Sequence, residues 1–501
     1  MLDLSCIPLD DVDVYGDIQR ADTVGVFQIE SRAQMQSLLR TRPENLDDLT
    51  VQVALVRPGP IQGKAVHPYI ERRHRLRKDP SYEPPADHPL LQEPLRDTLG
   101  VVVFQDQVLE VAMALAGFSV GEAEGLRRAM SRKRSEAALE AYRRRFVEGA
   151  LGRGVEEALA DSIYDKLVAF SGFGFPKSHA AAFGLLAYQS QWLRCHHPAE
   201  FLAALLNAQP MGFYPPATLV RDAQRRGVEV LPPDVNLSEA KCVVEDGVVR
   251  MGIEYVTSVG EDDAKALVEE RDRGGPFLSV RDLAQRSPLR REGLQALIES
   301  GACSCFGEGA RPLIWEAGLA PRSSSVPGSG GEARQLALPL DPTVETPELP
   351  EPTDWERMLS DYRTTSVSVG VHPMELLRPE LPETVLSSHD LSLTPDRAQV
   401  AVAGMVVARQ RPSTANGVVF MLLEDELGQM NLIVPPQVYE QFRPVVRAEK
   451  LVLARGRFER QGRNQNVLVR EIETLAPLAR RLADVDRLGG SLPPAHHFGH
   501  R

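Results

Sequence analysis

Between Val108 and Leu206 apolar residues return at intervals of three and four, with breaks near Gly117, Gly152 and Gly172, which predicts a run of packed helices. Upstream the pattern is shorter. Tyr15 and Ile18 fall on one side of a short helix that Asp10 or Asp11 would cap, and Val24, Val26, Phe27 and Ile29 read as a strand. Val51 to Val56 is a buried apolar segment ending at Arg57-Pro-Gly-Pro60, a rigid turn that holds an arginine at the end of a packed element. Leu99 to Phe104 is strand-like and ends in Gln105-Asp-Gln107.

Downstream, a helix over 216–226 and a strand over 228–231 lead to Val259-Gly260, which opens a helix running to Arg271; a second helical pair follows over 281–301. A hydrophobic residue and Gly260 at a helix start form the hairpin of a helix-hairpin-helix unit, whose backbone amides contact a DNA phosphate. From Val400 the period changes to two. Strands over 400–407, 418–424, 431–434, 450–458 and 467–474, with a helix over 436–447, give the pattern of a small β-barrel, the OB fold. Such barrels bind single strands through cations and stacked aromatics, here Arg409, Arg411, Arg455, Arg457 and Arg460 with Phe420 and Phe458.

Composition and charge narrow this picture. The 501 residues are 43% hydrophobic, enough for several cores, and the length predicts about three domains. A net charge of -12 excludes wholesale coating of nucleic acid and confines polyanion contact to local basic clusters. There is no signal-peptide pattern and no long apolar run, and the five cysteines lack framework spacing, so the expectation is a cytoplasmic chain that makes no membrane contact. Cys303-x-Cys305, and Cys195 beside His196 and His197, lack a partner pair at zinc spacing and read as structural. A segment over 322–353, rich in Ser, Pro, Gly and acidic residues, reads as a flexible linker carrying the apolar hexamer Gln335-Leu-Ala-Leu-Pro-Leu340. The tail His496-His-Phe-Gly-His500 reads as a disordered end.

The candidate chemistry centres on Gly172-Phe-Gly-Phe-Pro-Lys-Ser-His-Ala-Ala-Ala-Phe183, a constrained turn in which Ser178 is placed to cap the helix that follows. Lys177, Ser178 and His179 then sit at a helix N-terminus, where free amides and the macrodipole favour an anion. A phosphate site is the functional reading; a glycine-rich lead into a core helix is the alternative. Leu126 to Arg134 packs five cations into nine residues, a second cluster for that site or a solvated basic face. Arg72 to Lys78 is a further basic run. Asp10, Asp11 and Asp13 fit the first turn of a helix better than a two-metal site.

Val26-Phe-Gln-Ile-Glu-Ser31, Leu55-Val-Arg-Pro-Gly-Pro60, Val103-Phe-Gln-Asp-Gln107, Leu126-Arg-Arg-Ala-Met130 and the 172–182 stretch resemble, in order, successive motifs of the bacterial C-family DNA polymerases, the family of the DNA polymerase III alpha subunit. Pro210-Met-Gly-Phe-Tyr214 and Arg409-Gln-Arg-Pro412 resemble its error-prone branch. The resemblance covers nearly the whole chain. It implies a multi-domain, mainly α architecture with a small C-terminal β-barrel: the end of the palm and start of the fingers over 1–30, fingers over 31–210, tandem helix-hairpin-helix units over 211–307, a linker over 308–362, a connecting segment over 363–398, an OB fold over 399–476 and a tail over 477–501.

In the resembling family the fingers receive the incoming deoxynucleoside triphosphate. By position, Arg127, Arg128 and Lys133 would face the triphosphate, with Lys177, Ser178 and His179 at the edge of the same pocket. Arg57, Gly260, Arg409, Arg411, Arg455 and Arg457 are assigned to DNA, and Gln335, Leu336, Leu338 and Leu340 to the sliding clamp. The implied function is template-directed deoxynucleotidyl transfer in DNA repair and translesion synthesis, with primer-template DNA, the clamp and translesion accessory proteins as partners. The family's Pro-Asp-x-Asp-x-Asp motif, its later palm aspartate and its N-terminal phosphatase-like domain have no counterpart in this sequence. The Mg²⁺ of the complete polymerase would therefore be held outside the chain. No catalytic or metal-ligating residue is assigned, and the chain alone is expected to be inactive. A stand-alone, non-catalytic DNA- and clamp-binding adaptor is the alternative; a nuclease using Asp10, Asp11 and Asp13 is a third reading.

Overall fold

Asp11 starts the first helix, α1 (Val12–Gln19), by accepting hydrogen bonds from the amides of Asp13 and Val14 at 3.0 and 3.1 Å. The computed structural model describes residues 2–57, 66–131, 136–171, 175–319, 349–412, 415, 417–461, 464–483, 492 and 495–498. It divides into two compact units, Met1–His196 and His197–Arg501.

In the first unit the residues after α1 form turns where a strand was expected. Gly25 and Gln28 adopt φ of 73° and 65°, which interrupts an extended path while Val24, Val26 and Ile29 stay buried. Ser31 caps α2 (Arg32–Thr41) and Asn45 caps α3 (Leu46–Leu55), whose residues from Leu49 to Leu55 are all buried. α4 (Val66–Lys78) carries the basic run after Arg72. The Leu99 to Phe104 segment is also no strand, because Leu99 and Gly100 both take positive φ. Instead Phe104 makes one parallel bridge to Phe175. α5 (Gln105–Ala116), which stops at Gly117 with φ 64°, then α6 (Val120–Ser131), α7 (Glu136–Leu151) and α8 (Glu157–Ser171) enclose a core that includes Val111, Leu115, Leu126, Phe146 and Phe170. α9 (Lys177–His196) lies against α3 at close range; a Cβ added at Gly184 would stand 3.1 Å from the Thr50 hydroxyl.

The second unit opens with α10 (Pro198–Asn207) and α11 (Pro216–Arg225), followed by a small sheet of β1 (Val230–Leu231), β2 (Val243–Glu245) and β3 (Val248–Arg250) in the order β1-β3-β2. Four helices, α12 (Glu261–Gly274), α13 (Val280–Arg286), α14 (Arg291–Glu299) and α15 (Ala310–Leu319), share a core built on Val259, Leu267, Phe277, Leu283 and Leu297. The Gln335–Leu340 peptide and most of the linker lie outside the described residues. α16 (Asp354–Thr365), fixed by a capping box of Thr353 and Glu356, leads through α17 (Pro373–Leu377), β4 (Val385–Leu386) and α18 (Ser388–Leu393) to the barrel.

Strands β5 (Gln399–Gln410), β6 (Val419–Glu424), β7 (Gln429–Val434), β8 (Leu451–Gln461) and β9 (Asn464–Thr474) pair in the order β5-β6-β7-β9-β8, and β8 returns to β5 to close a five-stranded barrel. Closure needs a bulge at Arg455–Gly456, where a Cβ on Gly456 would fall 2.2 Å from the Leu468 carbonyl oxygen. The helix expected over 436–447 is two, α19 (Pro436–Gln441) and α20 (Arg443–Ala448); Pro444 supplies no N–H to continue the first and suits the opening turn of the second. After α21 (Ala476–Ala483), the tail returns as β10 (His496–Phe498), paired in parallel with Ala408–Gln410. Part of the expected disordered end is thus ordered, because β8 leaves β5 at Met405 and frees that edge beyond it. Among the described residues no helix is long and apolar enough to cross a membrane.

Candidate functional site

In the first unit the ordered motifs converge. The Phe104–Phe175 bridge, reinforced by the Gln105 amide donating to the Phe175 carbonyl at 3.0 Å, sets the first turns of α5 and α9 side by side. The Arg57 guanidinium lies over the Phe175 ring at 3.6 Å from its centroid. On the same ring cluster, His179 is 4.8 Å from Phe175 and 4.2 Å from Phe183, and Phe27 meets Phe183 at 5.2 Å. Burial lowers the Arg57 pKa, and its Nε has no hydrogen-bond partner among the described residues. Arg57 is therefore stacked and desolvated at a position where sequence showed an arginine on a turn.

Two of the predicted cations, Lys177 and Arg127, stand here already paired with carboxylates. The Lys177 amide donates to Asp106 Oδ2 at 2.6 Å, and its Nζ donates to Asp97 Oδ2 at 2.5 Å, which raises the lysine pKa. Arg127 grips Glu124 through Nε and Nη2 at 2.8 and 2.5 Å, and the Asp106 charge is close enough to add to the rise in its pKa. Arg128 is exposed and stands 3.6 Å from the same glutamate. Around Lys177 lies a cleft of about 540 Å³ lined by Asp97, Phe104, Asp106, Glu110 and Met113; burial raises the Glu110 pKa. Lys133 lies outside the described residues. Ser178 is not the cap, since α9 already begins at Lys177, whose own free first amide is taken by Asp106. Ser178 and His179 are exposed on the first turn. The sequence does not mark Asp97, Asp106 and Glu124 as site residues; Asp106 stands there only as part of the Val103–Gln107 motif, one residue into the helix started by Gln105.

The acidic N-terminal segment has a structural task. One Asp11 oxygen caps α1 and the other meets His196 Nε2 at 2.9 Å. Among the described residues no group of three His, Cys, Asp or Glu is arranged to hold a metal ion.

In the second unit Gly260 precedes α12 with an open approach, its nearest added-Cβ contact being Asp263 Oδ2 at 3.9 Å. The first turn behind it is Glu261, Asp262 and Asp263, which already answers the helix dipole and opposes a phosphate. The second hairpin is more basic at its start, with two arginines against one acidic residue, Glu292, in the first turn. Arg290 and Arg291, both exposed, begin α14, and Gly293 brings that helix close enough for an added Cβ to stand 3.0 Å from the Ser258 carbonyl oxygen.

The barrel arginines divide by burial. Arg409 is withdrawn from any DNA surface: it is 6% exposed, and its guanidinium donates to the Val446 carbonyl at 2.7 Å and to that of Glu449. Phe458 is likewise fully buried in the barrel core, so it offers no face to a base. Arg411 stacks on Tyr439 at 4.5 Å. Arg455 pairs with Glu473 at 2.7 Å and Arg457 with Glu459 at 2.5 Å, both near the surface. Phe420 stays half-exposed on β6.

Comparison with known proteins agrees with this architecture. The chain matches the family model of the bacterial DNA polymerase III alpha subunit finger domain over residues 1–154, a helix-hairpin-helix motif over 227–313 and an OB-fold nucleic acid binding domain over 400–475. It is 44% identical over 489 residues to an error-prone DNA polymerase of Anaeromyxobacter sp. (strain K), covering 95% of this chain and 42% of that protein. Error-prone DNA polymerases of Corynebacterium efficiens (42% identity; 94% and 42% covered) and Burkholderia pseudomallei (43%; 97% and 45%) are similar in the same way. The chain thus spans about two fifths of the length of these relatives. Fingers-like helices bearing five motifs in order, a helix-hairpin-helix region and a C-terminal OB barrel make this chain similar to the bacterial DNA polymerase III alpha subunit in its finger domain and to error-prone DNA polymerases over about two fifths of their length.

Proposed function

We propose that this chain provides the nucleotide, DNA and clamp contacts of an error-prone, template-directed DNA polymerase acting in repair and translesion synthesis, and that it does not catalyse nucleotidyl transfer alone. The observation that carries the reading is the convergence around Phe175: Arg57 on its ring and Lys177 and His179 on the following turn, with Arg127 within electrostatic reach of the Asp106 that accepts from the Lys177 amide. A stacked arginine and a lysine at paired helix starts suit a triphosphate, whose charge they would neutralise during transfer. The exposed Arg290 and Arg291 of the second hairpin, with Arg411 and Phe420 on the barrel, suit duplex and single-stranded DNA respectively. Gln335, Leu336, Leu338 and Leu340 form the proposed clamp peptide, with the glutamine as polar anchor. Mg²⁺ would arrive with ligands from a palm, and Asp11 is already engaged by α1 and His196.

The test is primer extension by the purified chain on a primed template with Mg²⁺ and four deoxynucleotides, alongside a gel-shift assay with the same DNA. No extension with salt-dependent binding is expected. Extension would overturn the claim of inactivity and make Asp11 and Asp13 the first positions to substitute. Absence of DNA binding at low salt would remove the proposed role altogether.

A further inference from the structure

We propose that Asp97 and Asp106 set the affinity of the site for nucleotide, acting as internal stand-ins for phosphate that an incoming triphosphate displaces. This rests on reading the site as a nucleotide site. The Phe104–Phe175 bridge brings two helix starts, Gln105 of α5 and Lys177 of α9, to one point. Each contributes the positive end of a macrodipole, Lys177 adds its ammonium, and Arg127, paired with Glu124, lies within electrostatic reach of Asp106. Asp106 lies in the first turn of its own helix and accepts from the first amide of the other, so it occupies the position that the combined field favours for an anion. Asp97 meanwhile holds the Lys177 ammonium at 2.5 Å.

Both contacts are built to exchange. The Lys177–Asp97 pair is exposed on both sides, 51% and 61% by side chain, so water and salt screen it. Asp106 is half-buried and loses one accepted hydrogen bond when it turns away, which water can replace. A ligand with several anionic oxygens can satisfy the amide and the ammonium together, an advantage one carboxylate lacks. Triphosphate binding is therefore a replacement of one set of anions by another, and the resident carboxylates subtract from its affinity.

The experiment titrates inorganic tripolyphosphate into the purified chain by calorimetry at low salt, comparing the unmodified protein with Asp97→Asn, Asp106→Asn, the double variant and Lys177→Gln. Asparagine at 106 retains an oxygen to accept from the Lys177 amide, and circular dichroism checks that each variant is folded. The expected result is about two- to five-fold tighter binding for each single carboxylate substitution, about tenfold for the double, and weaker binding for Lys177→Gln. If Lys177→Gln weakens binding while Asp97→Asn and Asp106→Asn bind no tighter than the unmodified protein, the stand-in role fails and the nucleotide site survives. If no variant binds tripolyphosphate, or Lys177→Gln binds as well as the rest, the site itself has been misread and the inference falls with it. Should Asp106→Asn fail to fold, the exposed Asp97→Asn decides alone.

Discussion

At the scale of single residues, the same side chain does opposite jobs according to how much water surrounds it. Arg409 and Arg411 are two positions apart, yet Arg409 ties the barrel to its helix pair through the Val446 and Glu449 carbonyls while Arg411 stacks on Tyr439. Burial lowers the Arg409 pKa to about 10, the sign of a cation held by backbone dipoles rather than offered to a polyanion. Arg409→Ala would leave two buried carbonyls without donors and open space beneath α20, so a loss of about 2–3 kcal/mol is expected by urea denaturation. The salt dependence of DNA binding by the folded fraction should be unchanged. A shallower slope of log K against log salt for the Arg409 variant would return it to the binding surface.

At the scale of elements, what matters is which charge each helix presents at its start. α9 has Asp106, α12 has three acidic residues of its own, and α14 begins with Arg290 and Arg291. Only the last arrangement welcomes a phosphate from outside without rearrangement. Replacing Arg290 and Arg291 by alanine is expected to reduce the salt slope for duplex DNA by about 1 for each phosphate that is no longer neutralised, with little change in stability because both side chains are exposed. Gly260→Ala meets open space, so it should cost less than about 1 kcal/mol and leave the slope alone; an equal effect of both changes would put the first hairpin back on the phosphate. Much of this organisation was legible in sequence. The period-two strands of the barrel and the hairpin helices follow from patterns that burial imposes on successive residues, and the five ordered motifs pointed to the site. The carboxylates facing those motifs were not legible, because Asp97 and Asp106 reach Lys177 across some 70 to 80 positions of chain. Nor were the turns at Gln28 and Leu99, where apolar runs bury their side chains without extending, since positive φ carries no hydrophobic signature.

At the scale of the molecule, each unit must satisfy its own buried charges, and the second does so with a set drawn from distant parts of its chain. Glu424, at the end of β6, is fully buried and accepts from Gln429 at 3.1 Å; His372 Nε2 and the Arg225 guanidinium each stand 3.9 Å away, too far for hydrogen bonds, with Asp222 and Arg221 beyond. Asp361 of α16, raised by burial to about 6, and Ser368 belong to the same neighbourhood of Arg221. Burial raises Glu424 to about 7 against the attraction of the arginines, and lowers His372 to about 3. A carboxyl whose folded pKa exceeds its unfolded value binds more protons when folded, so its contribution to stability falls as pH rises from about 4.5 to about 7. The buried histidine acts oppositely, adding stability between about pH 3 and 6.5, and so masks the slope of the glutamate in the unmodified protein. Glu424→Gln isolates it: the amide oxygen still accepts from Gln429 and carries no charge. Relative to the unmodified protein, the variant is expected to gain stability steadily between about pH 5 and 7 and then level off, reaching a difference on the order of 2 kcal/mol by chemical denaturation. Parallel stability curves across that range would mean that Glu424 is ionised in the native state and that Arg225 closes on it to form a true ion pair, making the junction electrostatic where the observed geometry makes it neutral.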